Sequence, residues 1–168
     1  MVLFLKNLLF TLVVPGTVGV FLPLKIAKGY SSASGSLFAI GCAFFAIATS
    51  IYLWCVWDFA VFGRGTPAPI DPPKKLIVRG LYRYTRNPMY LGVLTAILGW
   101  AIFFRGTTLV IYAMAVGACC HLFIVFYEEP HLQRKFGTEY DDYRAQASKT
   151  LAAASRLTFI RLLDLGQY

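Results

Sequence analysis

Acidic residues are scarce in this chain. Its 168 residues hold eight acids against sixteen lysines and arginines, and only 14% are charged at all. Histidine is limited to His121 and His131, and the four cysteines (Cys42, Cys55, Cys119 and Cys120) show no C-x-x-C spacing. His121 follows Cys119 and Cys120 closely, but no second His or Cys group has ligand spacing, so no metal site is expected. The thiols read as buried apolar side chains inside helices. No small-x-small cleavage site follows the first apolar run, which ends Leu22-Pro23-Leu24-Lys25, so that run reads as a retained segment. An inverted repeat is also missing, and few polar residues lie at mid-membrane depth, which argues against a transporter. The net charge of +8 calls for no nucleic-acid partner, because anionic headgroups and membrane topology account for it.

What the chain has in quantity is apolar sequence. Hydrophobic residues make up 58% of it, with a mean hydropathy of +0.62, well above ordinary soluble usage. Four apolar runs stand out, over 2–24, 36–62, 88–104 and 107–127. A helix needs about 20 residues to cross the hydrocarbon core. The third run is short and must borrow flanking residues or tilt. The expected fold is all-α, a polytopic membrane protein of about four transmembrane helices forming a single integral-membrane domain over 1–168. Pro15 and Gly16 should kink the first helix.

Basic residues set the expected orientation. Arg64, Lys74, Lys75, Arg79, Arg83 and Arg86 lie between the second and third runs, and Arg134, Lys135, Arg144, Lys149, Arg156 and Arg161 follow the fourth. With an even number of spans, both groups and Lys6 share one face. Only Lys25, Lys28 and Arg105 fall on the other. The positive-inside bias therefore places both termini and the long middle loop in the cytoplasm.

Two polar stretches abut the ends of membrane-length runs, where acids and arginines are costly to place and are functional candidates by default. The first is Gly80-Leu81-Tyr82-Arg83-Tyr84-Thr85-Arg86-Asn87-Pro88-Met89-Tyr90-Leu91-Gly92. It follows a linker with four prolines over 67–73, which favours an extended connector. Pro88 suits the first turn of a helix, and Asn87 suits its N-cap. The free amides at that helix start could cradle an anionic group. An aromatic belt with snorkelling arginines is the plainer reading of the same residues. The second stretch, 128–143, opens on Glu128-Glu129-Pro130-His131. Gly137 reads as a helix C-cap, and Thr138 with Asp141 as a capping box for a further helix. Tyr140 and Tyr143 then share a face. The paired acids want a cation, either a neighbouring arginine (Arg83, Arg86 or Arg134) or a ligand bearing an ammonium or hydroxyl group.

These two stretches, in this order and membrane context, resemble the integral-membrane isoprenylcysteine carboxyl methyltransferase family and the related phospholipid methyltransferases. The similarity extends through G-R-G-T-P-A-P-I-D-P-P-K-K-L at 63–76, which looks like bacterial members, and covers about 58–143. The resemblance implies S-adenosylmethionine as methyl donor, S-adenosylhomocysteine as product, and an amphiphilic or lipid-like acceptor in a bacterial inner membrane. It implies a cofactor pocket closed by cytoplasmic re-entrant or amphipathic segments, over 74–92 and 128–143. The family's R-[HN]-P-x-Y motif falls on Arg86, Asn87, Pro88, Met89 and Tyr90. Its cofactor-contacting strip falls on Lys74, Lys75, Leu76, Ile77 and Tyr82, and its E-E-x-x-L motif on Glu128, Glu129 and Leu132. Arg86, Tyr90, Glu129 and His131 are the positioning candidates for catalysis, with no single catalytic residue assigned.

Two departures from the family pattern bear on the acceptor. Prenylcysteine-specific members carry an arginine one turn before the paired acids, where this chain has Ile124. The closing R-x-x-P segment is also replaced, after Tyr143, by Arg144-Ala145-Gln146-Ala147-Ser148-Lys149-Thr150. The remaining tail, 151–168, reads as an amphipathic helix on the membrane surface. Carboxyl O-methylation is the reaction the resemblance favours, phospholipid N-methylation the alternative, and a non-catalytic lipid- or partner-binding membrane protein the competing class.

Overall fold

Proline and glycine set the ends of helices whose lengths are fixed by the apolar runs. The computed structural model describes residues 2–63 and 76–147, and among them the chain is helical with no strand. The first helix runs Val2–Val13, passes through a π turn at Thr17–Phe21 and continues as Leu22–Ile26. The second spans Ser36–Asp58 and ends in a π turn, Phe59–Gly63. The third is Pro88–Phe103. The fourth starts at Thr107–Phe123, widens into a π turn at Ile124–Glu128 and ends as Glu129–Phe136. A short fifth helix occupies 138–147. Three of these are long and apolar enough to cross a membrane, while Pro88–Phe103, at 16 residues, is shorter. Trp57, Met114 and Phe126 are 65%, 63% and 76% exposed, an outward apolar surface suited to lipid rather than water.

The first helix shows how backbone polarity is satisfied in such a setting. The join at Pro15 and Gly16 leads into the π turn, where the Leu22 amide donates to the Thr17 carbonyl. Pro23 has no N–H, so it cannot donate to the carbonyls of Val18 and Gly19 behind it. The Tyr112 hydroxyl donates to the Val18 carbonyl at 2.9 Å, and the Trp100 indole N–H donates to that of Gly19 at 3.0 Å. Both bonds tie the first helix to its neighbours.

The second and third helices make the broadest contact in the bundle. Small residues allow it: a side-chain carbon on Gly99 would sit 3.0 Å from the Phe45 ring, and one on Gly92 would sit 3.2 Å from Ile51. The third helix ends one residue before the expected boundary, because Phe104, Arg105 and Gly106 form the turn into the fourth. Arg105 takes φ 51°, and the Gly106 amide donates to the Ala101 carbonyl at 3.1 Å. This short turn makes the third and fourth helices antiparallel. Their far ends, carrying Asn87–Tyr90 and Glu128, therefore return to the same side of the bundle.

The thiols depart from expectation. Cys55 is buried, but Cys42 and Cys119 are exposed on the outer helix faces and Cys120 is partly so. In a four-helix membrane bundle most of each helix faces outward, so an apolar position need not be an interior one.

Candidate functional site

The site is assembled where the third helix begins and the fourth ends. Pro88 occupies the first helical turn, with Asn87 at the capping position. The Asn87 side chain makes no cap hydrogen bond, contrary to expectation. Its ψ of 59° departs from the extended backbone that aims a capping oxygen at the amides of the first turn. The π turn Ile124–Glu128 places the first paired acid at its last position. Such turns alter which side chains face inward and recur at functional sites.

Two contacts join the polar stretches. The Tyr90 hydroxyl donates to Glu128 Oε2 at 3.1 Å. Arg86 donates to Glu129 Oε1 and forms an ion pair with it, the two side chains 33% and 16% exposed. Arg144, on the fifth helix, approaches Glu129 Oε2 at 3.8 Å. One acid thus meets a tyrosine of the third helix, and its neighbour meets arginines from two separate elements.

Beside these pairs lies an aromatic wall. Tyr82, on the 3₁₀ turn Gly80–Arg83, is buried with Cys55, Ile77 and Met89. Tyr140 and Tyr143 are buried with Ala147, and Leu76, Leu132 and Phe136 pack against them. The Tyr143 hydroxyl donates to the Tyr82 carbonyl at 2.9 Å, which locks the fifth helix onto the first polar stretch. Burial holds the Tyr82, Tyr140 and Tyr143 phenols above the ordinary tyrosine range. At neutral pH they are protonated, able both to donate and to accept hydrogen bonds.

Most of the sequence-derived residues therefore fall in one place. Arg86, Asn87, Pro88, Met89, Tyr90, Glu128, Glu129 and Leu132 lie on the facing helix ends, with Leu76, Ile77 and Tyr82 packed alongside. His131 is exposed, and its ring lies parallel to that of Tyr127. Lys74, Lys75, the linker at 67–73 and the tail at 151–168 lie outside the described residues. Gly137 ends its helix at φ 54°, as expected of a C-cap, its amide donating to the Gln133 carbonyl. Thr138 and Asp141 do not form the expected capping box: Thr138 is already the first helical residue, and the Gly137 carbonyl accepts from the Tyr140 and Asp141 amides, while Asp141 Oδ1 accepts from Gln133 Nε2 at 3.2 Å. Sequence reasoning missed Arg144 as a partner of Glu129 and Asp58 as a partner of Arg79. A signal for Asp58 was available, since it is the only acid in the first 70 positions.

The chemistry of this set suits a zwitterionic cofactor that also carries hydroxyls. Glu128 offers a carboxylate to an ammonium or to ribose hydroxyls, the helix start at Pro88 offers amides to a carboxylate, and the tyrosines offer flat faces. Neither the curated proteins nor the solved structures yielded a match to this sequence. A family model described as phospholipid methyltransferase matches residues 37–139, which takes in the second, third and fourth helices and both paired acids. With more than half of its length matched, the chain belongs to the phospholipid methyltransferase family and is a membrane methyltransferase.

Proposed function

We propose that the chain transfers a methyl group from S-adenosylmethionine to a polar group carried by a membrane amphiphile. The observation that carries this reading is the convergence of Glu128 on Tyr90 and Glu129 on Arg86, which joins the two family motifs at one end of the bundle. In this reading Tyr90 orients the Glu128 carboxylate for the cofactor's ammonium or ribose. Asn87, Pro88 and Met89 form the cradle at the helix start, with Leu76, Ile77 and Tyr82 alongside. Arg86, Glu129 and Arg144 hold the fifth helix down over the site and help exclude water. Lys74 and Lys75 complete the cofactor-binding set by family resemblance. Held by Glu128, Asn87 and the helix start at Pro88, S-adenosylmethionine would supply an electrophilic methyl group to an acceptor lone pair, its sulfur keeping the electron pair of the broken carbon–sulfur bond as a thioether.

Such a transfer needs alignment more than acid or base catalysis. Glu129 is committed to two arginines and Glu128 to a tyrosine, so an acceptor already deprotonated suits the site best. A carboxylate meets that condition, and carboxyl O-methylation is the first reading. An amine headgroup is the second, favoured by Ile124 in place of the arginine that prenylcysteine-specific members carry. The acceptor's hydrocarbon tail has a lateral place to lie. A groove of about 180 Å³ between the first, second and third helices is lined by residues including Pro15, Gly19, Ala48, Tyr52, Gly92 and Ala96. Tyr52 in turn packs on the cluster that holds Ile77 and Tyr82. A bacterial inner membrane with both termini cytoplasmic fits the distribution of basic residues.

The test is methyl transfer from labelled S-adenosylmethionine by protein in vesicles, offered an S-prenylated cysteine, phosphatidylethanolamine, or a water-soluble carboxylate without a tail. Label on the prenylated carboxylate supports the first reading, and label on the amine headgroup supports the second. Equal transfer to the tail-less carboxylate would refute an amphiphilic acceptor.

A further inference from the structure

Asp58 sits at the site end of the second helix and is 2% exposed. A carboxyl group at that depth is costly unless its oxygens are matched. Arg79 Nε lies 3.7 Å from Asp58 Oδ1, and the same guanidinium lies over the Phe62 ring at 3.6 Å. The Trp54 indole, one turn earlier on the second helix, faces Gly80 from the same side. Asp58 Oδ2 nevertheless accepts no hydrogen bond from the described residues. It is spent on shape instead. A side-chain carbon on Gly80 would lie 2.6 Å from Asp58 Oδ2 and 2.8 Å from Trp54 Nε1, and Gly80 itself takes φ +56°. Only glycine fits that backbone and that clearance.

This contact falls where the chain changes direction. Arg79 is extended, with φ −136° and ψ 173°, and Gly80–Arg83 is the 3₁₀ turn. Two residues past Gly80 comes Tyr82, whose side chain packs on Cys55 and Met89 and whose carbonyl receives the Tyr143 hydroxyl. Arg79 grips the acid from one side of the turn while Gly80 rests on it. Moving the acid or releasing Arg79 would therefore shift Tyr82 and the anchor of the fifth helix together.

We propose that Asp58, acting through Arg79 and Gly80, is a positioning residue that sets the Gly80–Arg83 turn and so places Tyr82 for cofactor binding. It rests on the methyltransferase reading above for the ligand, and on the geometry alone for the latch. The variants are Asp58→Asn, Arg79→Gln and the double substitution. Each is titrated with S-adenosylhomocysteine and followed by hydrogen exchange over 76–84. Each single change is expected to weaken binding about tenfold, with the double change no weaker than Asp58→Asn alone. Exchange should quicken over 76–84 while the third helix stays protected. Should Asp58→Asn fail to fold, Arg79→Gln carries the test, because its side chain is 55% exposed. Wild-type affinity and unchanged exchange in Arg79→Gln overturn the proposal, as does quickened exchange spread evenly over the chain. A wild-type protein that binds no S-adenosylhomocysteine overturns the functional reading instead, and the exchange pattern then decides whether Asp58 holds the turn.

Discussion

Removing Arg86 tests the joint between the two polar stretches. In the intact protein its guanidinium pairs with Glu129, and the only other cation in the described network, Arg144, stands 3.8 Å from the second oxygen. Exposed ion pairs contribute about 0–1 kcal/mol, whereas breaking a buried pair costs about 3–5 kcal/mol. With side chains 33% and 16% exposed, the Arg86–Glu129 pair lies between these limits. Arg86→Gln should therefore cost about 2 kcal/mol. For a chain of this size 1 kcal/mol moves the unfolding midpoint by about 2–4 °C, so the expected fall is about 4–8 °C. Glu129→Gln should cost less, since it leaves behind arginines that reach water more readily than a half-buried carboxylate does. Thermal unfolding of the two single variants and the double variant in detergent gives the coupling directly. The double variant should be more stable than the sum of the single losses predicts. Strict additivity would refute the pair as a joint.

Other perturbations probe separate parts of the account. Tyr112→Phe strips the Val18 carbonyl of its donor inside the apolar layer and should destabilise the bundle by about 1 kcal/mol, read as a lowered unfolding midpoint; an unchanged midpoint counts against that contact. Tyr143→Phe leaves the buried Tyr82 carbonyl unmatched at a cost of about 1–3 kcal/mol, and proteolysis should find the fifth helix released before the third. Gly99→Val drives a branched side chain into the Phe45 ring and should cost about 1–3 kcal/mol, with no change if the second and third helices do not approach there. The raised pKa values of Tyr82, Tyr140 and Tyr143 favour the protonated, folded state, and that stabilisation is fully present below pH about 10 and is lost as pH rises further. Tyrosinate absorbance followed beside circular dichroism should show a late-titrating fraction whose appearance coincides with loss of helix. Titration of every tyrosine in one step, with helicity intact, would contradict it.

Much of this architecture was legible because the bilayer imposes few choices. Membrane-length apolar runs had to be helices, and proline, glycine and arginine marked most of their ends to within a few residues; the exception is the fourth helix, which runs on past 127 and Pro130 to Phe136. The candidate site was legible for a different reason. Acids and arginines beside a hydrophobic span are expensive, so Glu128, Glu129 and Arg86 stood out before any geometry was known. Which acid meets which partner was not legible, because it depends on the π turn at Ile124–Glu128, and no local pattern announces one. The same limit applies to Asn87, whose residue type favours capping but whose backbone, set by the turn before Pro88, points it elsewhere. Asp58 was visible as an isolated acid, but its partner comes from a segment more than 20 positions away, beyond the reach of helical spacing. The thiols show the converse. Apolar composition says a residue avoids water, yet in a membrane it does not say whether protein or lipid receives it.

The most direct measurement is calorimetric titration of the detergent-purified protein with S-adenosylhomocysteine, beside Glu128→Ala shown to be folded by circular dichroism. Saturable binding by the wild type at one site per chain, abolished in the variant, is the predicted result. Equal binding by both proteins would contradict the placement of the cofactor on Glu128, and no binding by either would contradict the methyltransferase site itself.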